Sequence, residues 1–460
     1  MLRLTWVQPE DLLGHELRQA EQDGREPSAV AARWAAARGP LAPRRAGASP
    51  QAVSPYLRLL AEDLLDELAD LPSSLAEHEP TDLARIKALC TEWPRRPARG
   101  PAGGAVRAVP AEARLEAAWL GRAAGCLLGK PVEKLPLDAI RGLARATGNW
   151  PLNNWFTARG VPPELAAAHP FNRRSAATSL AENIDGMPED DDLNYPLLNL
   201  LLLGRHGKSF TVGEVARLWL DELPAGRTFT AERVAYRNLL CGVEPPRTAR
   251  HRNPFREWIG ALIRADVHGW TNPGDPATAA EQAHRDATLT HTANGVYAAM
   301  FSAAVIAEAA GGARDVHHCL RTGLDVVPPS SRLARALRHA LHLARETRDF
   351  DRVVDELHRV HRAYHWVHAV PNTALIAAAL THADGDFTGS VCRAVSGGWD
   401  TDSNGATAGS IAGLLAGRPG ALPDRWTSPL KNRLSTSVGD FNGIGFDALA
   451  HLTHREIHRS

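Results

Sequence analysis

Two short acidic segments carry the residues best suited to chemistry. Glu189-Asp190-Asp191-Asp192 follows Pro188 and precedes a helical pattern of Leu193, Leu197, Leu198 and Leu201. Gly397-Gly398-Trp399-Asp400-Thr401-Asp402-Ser403-Asn404-Gly405 likewise opens a helical pattern. Consecutive carboxylates repel one another unless cations or a helix N-terminus offset them, so the first segment also reads as an acidic helix cap. The second begins like a calcium loop, with Asp400, Asp402, Asn404 and Gly405 in register. Its twelfth position is Ile411, however, where a bidentate Glu is required. What remains is two clusters of Asp and hydroxyl groups at helix starts. Hard oxygen donors of this kind suit Mg²⁺ or Mn²⁺ rather than zinc. Convergence of the two clusters would make a two-metal site.

Other chemistry-bearing residues carry less. His358, His361, His365 and His368 are spaced to fall on one helix face, but no carboxylate of an H-E-x-x-H motif accompanies them. A structural face is the better reading, with His368 the member best placed to reach a cleft. Trp399, inside the second acidic segment, is equally suited to stacking on a base or sugar and to packing.

The elements that must position these groups are helices. Apolar residues recur at helical spacing almost throughout, as in Leu59-Leu60 with Leu64-Leu65 and in Leu333, Leu337 and Leu341, whereas β-branched alternation is nearly absent. The expected fold is all-α. Gly121, Gly125 and Gly129 recur every four residues, as do Gly405, Gly409, Gly413 and Gly417. Glycine costs a helix interior roughly 0.5–1 kcal/mol relative to Ala, so such ridges imply close approach of another helix. Ala293 to Ala310 reads as a second kind of buried helix, small and apolar nearly all round. Residues 94–110 are rich in Pro and Gly and are expected to link an N-terminal helical region, 1–93, to a main domain over 111–457. The N-terminal region shows no chemical constellation of its own.

The 460 residues balance 52 Lys and Arg against 52 Asp and Glu. A chain without basic excess is not expected to bind nucleic acid or a membrane surface. Five scattered cysteines without a C-x-x-C suit a reducing compartment. No secretory signal is apparent and no apolar run approaches the length of a membrane span. A soluble, cytoplasmic protein is the expectation.

Three segments carry a family resemblance. Leu120-Gly121-Arg122-Ala123-Ala124-Gly125-Cys126-Leu127-Leu128-Gly129-Lys130-Pro131-Val132-Glu133 resembles the opening motif of the ADP-ribosylglycohydrolase family, which contains the dinitrogenase-reductase-activating glycohydrolases. Glu189 to Asp192 resembles its Thr-Asp-Asp-Thr motif, and Gly397 to Ser403 its Gly-Gly-Asp-Thr-Asp-Thr motif, in the same order along the chain. The resemblance implies a compact orthogonal helical bundle that hydrolyses N- or O-glycosidic bonds to ADP-ribose, on small molecules or proteins, with two Mg²⁺ or Mn²⁺ ions. It implies metal ligation by Glu189, Asp190, Asp191, Asp400, Asp402 and Ser403. Glu133 would hold the catalytic or substrate-gating position, with Asp402 the other candidate to accept a proton from water. His291 falls where the family places a histidine near the bound ribose, and Asn294, Gly397, Gly398 and Trp399 are the other implied substrate contacts.

Several residues depart from the family pattern. Glu189 and Asp192 replace the two Thr of Thr-Asp-Asp-Thr, Cys126 replaces an Asp, and Trp399 is inserted before Asp400. The phosphate loop, Gly-Asn-Gly in the family, is placed at Gly260-Ala261-Leu262-Ile263-Arg264-Ala265-Asp266, without the Asn or second Gly and with an added acid. Backbone donors need close approach to grip a diphosphate. A substrate lacking ADP, such as a simpler riboside, is therefore open, and so is a catalytically silent protein that binds ADP-ribosyl groups through the same metals.

Overall fold

The computed structural model describes residues 3–95 and 112–459. Most of the expected linker, 96–110, lies outside the described residues. Those described form 22 α-helices and several short 3₁₀ helices, with only isolated β-bridges among them. The expected all-α fold is the observed one.

Two helices organise the molecule. Glu112–Gly129 and Thr401–Ala416 pack antiparallel along their glycine ridges. A Cβ on Gly121 would run into the carbonyl of Gly409, one on Gly125 into that of Gly405, and one on Gly413 into that of Ala117. Each glycine thus lets one backbone lie directly on the other, which offsets its poor helix propensity. Gly417 does not join the ridge; it sits past the contact at φ +81° and ends its helix. Because the pair is antiparallel, the C-terminal end of the first helix meets the N-terminal end of the second. The Thr401 hydroxyl fixes this register by donating to the Gly129 carbonyl at 2.8 Å.

Around this pair pack helices that are apolar on every face. Ala293–Ala310 and Ala369–His382 are buried along almost their whole length. Ala293–Ala310 is long and apolar enough by composition to cross a membrane, yet it is 89% covered by the protein's own core. Pro55–Asp70 and Arg332–Glu346 form where their leucine spacing predicts, capped by Ser54 and Ser331.

The histidine series departs from its expected single helix face. The helix Phe350–Val360 stops short, and His361 and His365 lie in the following turn while His368 caps the next helix. Tertiary contacts override the helical period here: Ile259 N–H donates to Val367 O at 3.0 Å, which draws that segment into extended backbone.

The N-terminal region lies on the main domain through buried charge. Arg256 pairs with Glu16 at 2.6 Å and with Asp23 at 2.6 Å. Arg332 pairs with Glu257 at 2.9 Å and with Glu79 at 2.6 Å, and Asn294 donates to Glu79 at 2.8 Å.

Candidate active site

The antiparallel glycine contact brings separate motifs to one cavity of about 320 Å³. Beyond Gly129 the first helix tightens into a turn that presents Lys130 and Glu133. Asp400, Asp402 and Ser403 open the second helix beside them, and Glu189, Asp190 and Asp191 begin the helix Asp191–His206 opposite. Asp190 caps that helix by accepting from Asp192 N–H at 2.9 Å. The cap reading of this acidic run holds for Asp190, and the same residue lines the cavity. Helix N-termini carry partial positive charge, which is where several carboxylates are best tolerated.

Ligand atoms of Glu133, Asp400 and Asp402 lie within 4.8 Å of one another, as do those of Cys126, Asp190 and Asp192. Electrostatics records the crowding. Burial, then the charges of Glu133 and Asp190, pushes Asp402 up to about 7. Burial and Asp402 push Asp400 well above the ordinary carboxylate range. Burial and Asp190 do the same to Asp191 and Asp192, with Arg122 opposing at Asp192. Asp190 is the exception: burial would raise it, but the Lys130 ammonium bound to it holds it below its usual value.

Two cations already sit among these acids. Lys130 is buried against Asp190. Arg122 is buried completely, donating to Asp192 O at 2.7 Å and to Asp266 at 2.9 Å. Asp266 thus faces the core rather than the cleft. Ser403 donates to Asp192 at 3.3 Å, and the Cys126 thiol lies 3.8 Å from the same carboxylate. Sequence reading passed over Lys130 and Arg122 as site residues. A lysine inside the opening motif, in a chain with only five lysines, was the available signal.

The remaining candidates are distributed as follows. Glu133 accepts from Asn172 at 2.9 Å and pairs with Lys134 at 2.9 Å. Glu189 lies at the cavity edge, accepting from Asn194 at 2.9 Å and pairing with Arg227 at 3.1 Å. His291 does not line the cavity; it is buried behind it, bonded to Thr290 at 2.6 Å. Asn294 lies deeper, between Glu79 and Glu257. Gly397, Gly398 and Trp399 flank the acidic segment without lining the cavity, and Trp399 stacks on His358 at 4.1 Å. His368 faces Glu257 at 3.6 Å instead of the cleft.

The same cavity is also lined by apolar groups, Trp6, Phe229, Ile259, Trp366 and Val367, and by Arg174 and Arg227. Gly260, in the segment placed as the phosphate loop, lies against the Glu232 carboxylate, which is paired with Arg264 at 2.9 Å.

The sequence matches the family model for ADP-ribosylglycohydrolase over residues 107–457. A solved structure described as "ADP-ribosylglycohydrolase-related protein complex" is 22% identical, with a TM-score of 0.47 over 75% of this chain and 98% of that one. No curated protein matches the chain.

Proposed function

The chain belongs to the ADP-ribosylglycohydrolase family, and from that premise we propose that it is a divalent-metal-dependent hydrolase of an N- or O-glycosidic bond to ADP-ribose or a related ribosyl conjugate. The observation that carries this is the convergence of Glu133, Asp190, Asp191, Asp400 and Asp402 on one cavity. Buried carboxylates this close disfavour their own ionisation, and Lys130 and Arg122 neutralise only part of the charge. The donor set fits hard divalent cations, with Asp190, Asp191, Asp400 and Asp402 the residues that would hold them and Glu189 and Ser403 at the margin. When bound, Mg²⁺ or Mn²⁺ would supply positive charge for ribose hydroxyls and for the carboxylates themselves.

The protein's own groups account for the remaining chemistry. Glu133, oriented by Asn172 and Lys134, would accept a proton from water as the water oxygen bonds to the anomeric carbon, while the leaving group departs with the bonding electron pair and takes up a proton from solvent. The carboxylate floor stabilises the oxocarbenium character that builds there. Ser403 and Arg122 hold Asp192, and through it the start of its helix, in place. Four buried thiols and one exposed thiol, Cys241, with no disulfide among the described residues, support a reducing, cytoplasmic setting.

Calorimetric titration with Mg²⁺ and Mn²⁺ of wild type and Asp400→Ala, followed by assay of arginine-, serine- and nucleoside-linked ribosyl substrates, tests the proposal. We expect metal binding lost in Asp400→Ala and turnover lost in Glu133→Ala. A wild-type protein that binds no divalent ion overturns the site. Binding of ADP-ribosyl ligands without turnover, unaffected by Glu133→Ala, establishes the silent binder instead.

A further inference from the structure

We infer that the N-terminal region forms a working wall of the cleft, and that Trp6 positions a neutral, planar aromatic leaving group on the ribose. The inference rests on the ribosyl-hydrolase reading of the site. Trp6 lies outside the family-matched residues, yet it lines the same cavity as Glu133, Asp400 and Asp402.

Trp6 is held there by specific contacts. Arg233 donates to the Thr5 hydroxyl at 2.6 Å and to the Thr5 carbonyl at 3.2 Å. The Trp6 N–H donates to Gly47 O, and Gly47 lies so close to the indole that a Cβ there would collide with the ring. The ring meets Phe255 and Trp258 edge-on at 5.5 and 5.8 Å. Its own backbone is left-handed, at φ +65°. Two other non-glycine residues of the cavity share that strained region, Lys134 at +70° and Thr230 at +38°. Backbone strain persists only where surrounding contacts impose it, and it concentrates at ligand sites.

The leaving group follows from what surrounds Trp6. A cavity of about 320 Å³ is at the small end for ligand sites and suits a nucleoside-sized molecule. A diphosphate crossing Gly260 would meet the Glu232 carboxylate. A cationic leaving group such as guanidinium would find Glu189 and Glu232 already paired with Arg227 and Arg264, and Arg174 in the same lining. Trp6, Phe229, Ile259 and Val367 instead offer an apolar surface where a neutral ring loses water at little cost and stacks.

The test uses the full chain with two ribosides that share a sugar: inosine, with a heterocyclic leaving group, and methyl riboside, with an aliphatic one. Trp6→Leu keeps apolar packing without the ring, and Trp6→Phe restores a ring. Arg233→Gln releases Thr5 and Trp6 without altering the indole. We expect Trp6→Leu to raise KM for inosine about tenfold with kcat within about twofold, the size of a lost stacking contact. KM for methyl riboside should stay unchanged, Trp6→Phe should recover most of the loss, and Arg233→Gln should shift inosine in the same direction. Equal effects on both ribosides, or none on either, overturn the inference. Should Trp6→Leu fail to fold, Trp6→Phe and Arg233→Gln decide by the same inosine-against-methyl-riboside comparison. Should the wild type bind inosine without cleaving it, a Kd weakened about tenfold in Trp6→Leu still sustains the role of Trp6, and the hydrolase reading is decided by the arginine- and serine-linked substrates. A wild type that binds neither riboside overturns the role of Trp6, and the hydrolase reading then stands or falls on the ADP-ribosyl substrates alone.

Discussion

Gly125→Ala separates two opposing effects of size. In an isolated helix the change would stabilise by roughly 0.5–1 kcal/mol, because Ala loses less conformational freedom on folding. Here the new Cβ would overlap the carbonyl oxygen of Gly405, a backbone atom that no rotamer change can move. Reaching van der Waals distance requires the two helices to part by about 1 Å, and such overpacking typically costs 1–3 kcal/mol. The expected net effect is a loss of about 1–2 kcal/mol, with a lower urea midpoint and an unchanged m-value. The same displacement separates Glu133 from Asp400 and Asp402, so Mg²⁺ affinity by calorimetry should fall as well. Gly142→Ala is the control. Gly142 also lies in a helix, and its added Cβ would meet only Leu165 Cδ1 at 3.7 Å, so it should be neutral or slightly stabilising. A Gly125→Ala protein as stable as Gly142→Ala, with unchanged metal affinity, would refute the backbone-contact argument.

Other consequences can be checked alongside. Arg122→Met should destabilise by about 3–5 kcal/mol in denaturant melts, because it leaves Asp192 and Asp266 buried without their shared cation. Asp400→Asn should raise the thermal midpoint of metal-free protein, since it removes an acid whose charge burial and Asp402 oppose. The same variant should lose the Mg²⁺-induced stabilisation, which for wild type should be about 2.7 kcal/mol at a hundredfold excess over Kd. Burial, then neighbouring His339, lowers His361 to about 4, and its Nε2 has no partner. A base whose folded pKa lies below its unfolded value contributes stability above about pH 6.5 that is lost as pH falls toward 4. His361→Phe should therefore flatten the decline in unfolding free energy from urea melts between pH 7 and pH 4.5, by about 3 kcal/mol at most. An unchanged slope would show that His361 is protonated in the folded protein.

What could be read from the chain, and what could not, divides along a physical line. Glycine spacing was legible because a helix tolerates Gly121, Gly125 and Gly129 only for a reason, and close backbone approach is the available one. The partner, the second ridge at Gly405, Gly409 and Gly413, was visible only in the fold. Acidic segments at helix starts were legible for a similar reason, since their repulsion demands a compensation. Periodicity fails where a long-range contact outbids it, as in the histidine series, where the bond from Ile259 to Val367 ends a helical pattern that local spacing would have continued. It also cannot say what covers a residue. Arg122 lies on a glycine helix as any surface cation might, yet it is fully buried because Asp192 and Asp266 arrive from other helices. Trp6 is the extreme case. Nothing near it in sequence bears on chemistry, and its place in the cleft depends on Arg233, 227 residues further along the chain. Functional positions whose meaning comes from compensation were therefore visible locally. Those whose meaning comes from a distant partner needed the fold, and in this protein the second group holds the buried Arg122 and the cavity-lining Trp6.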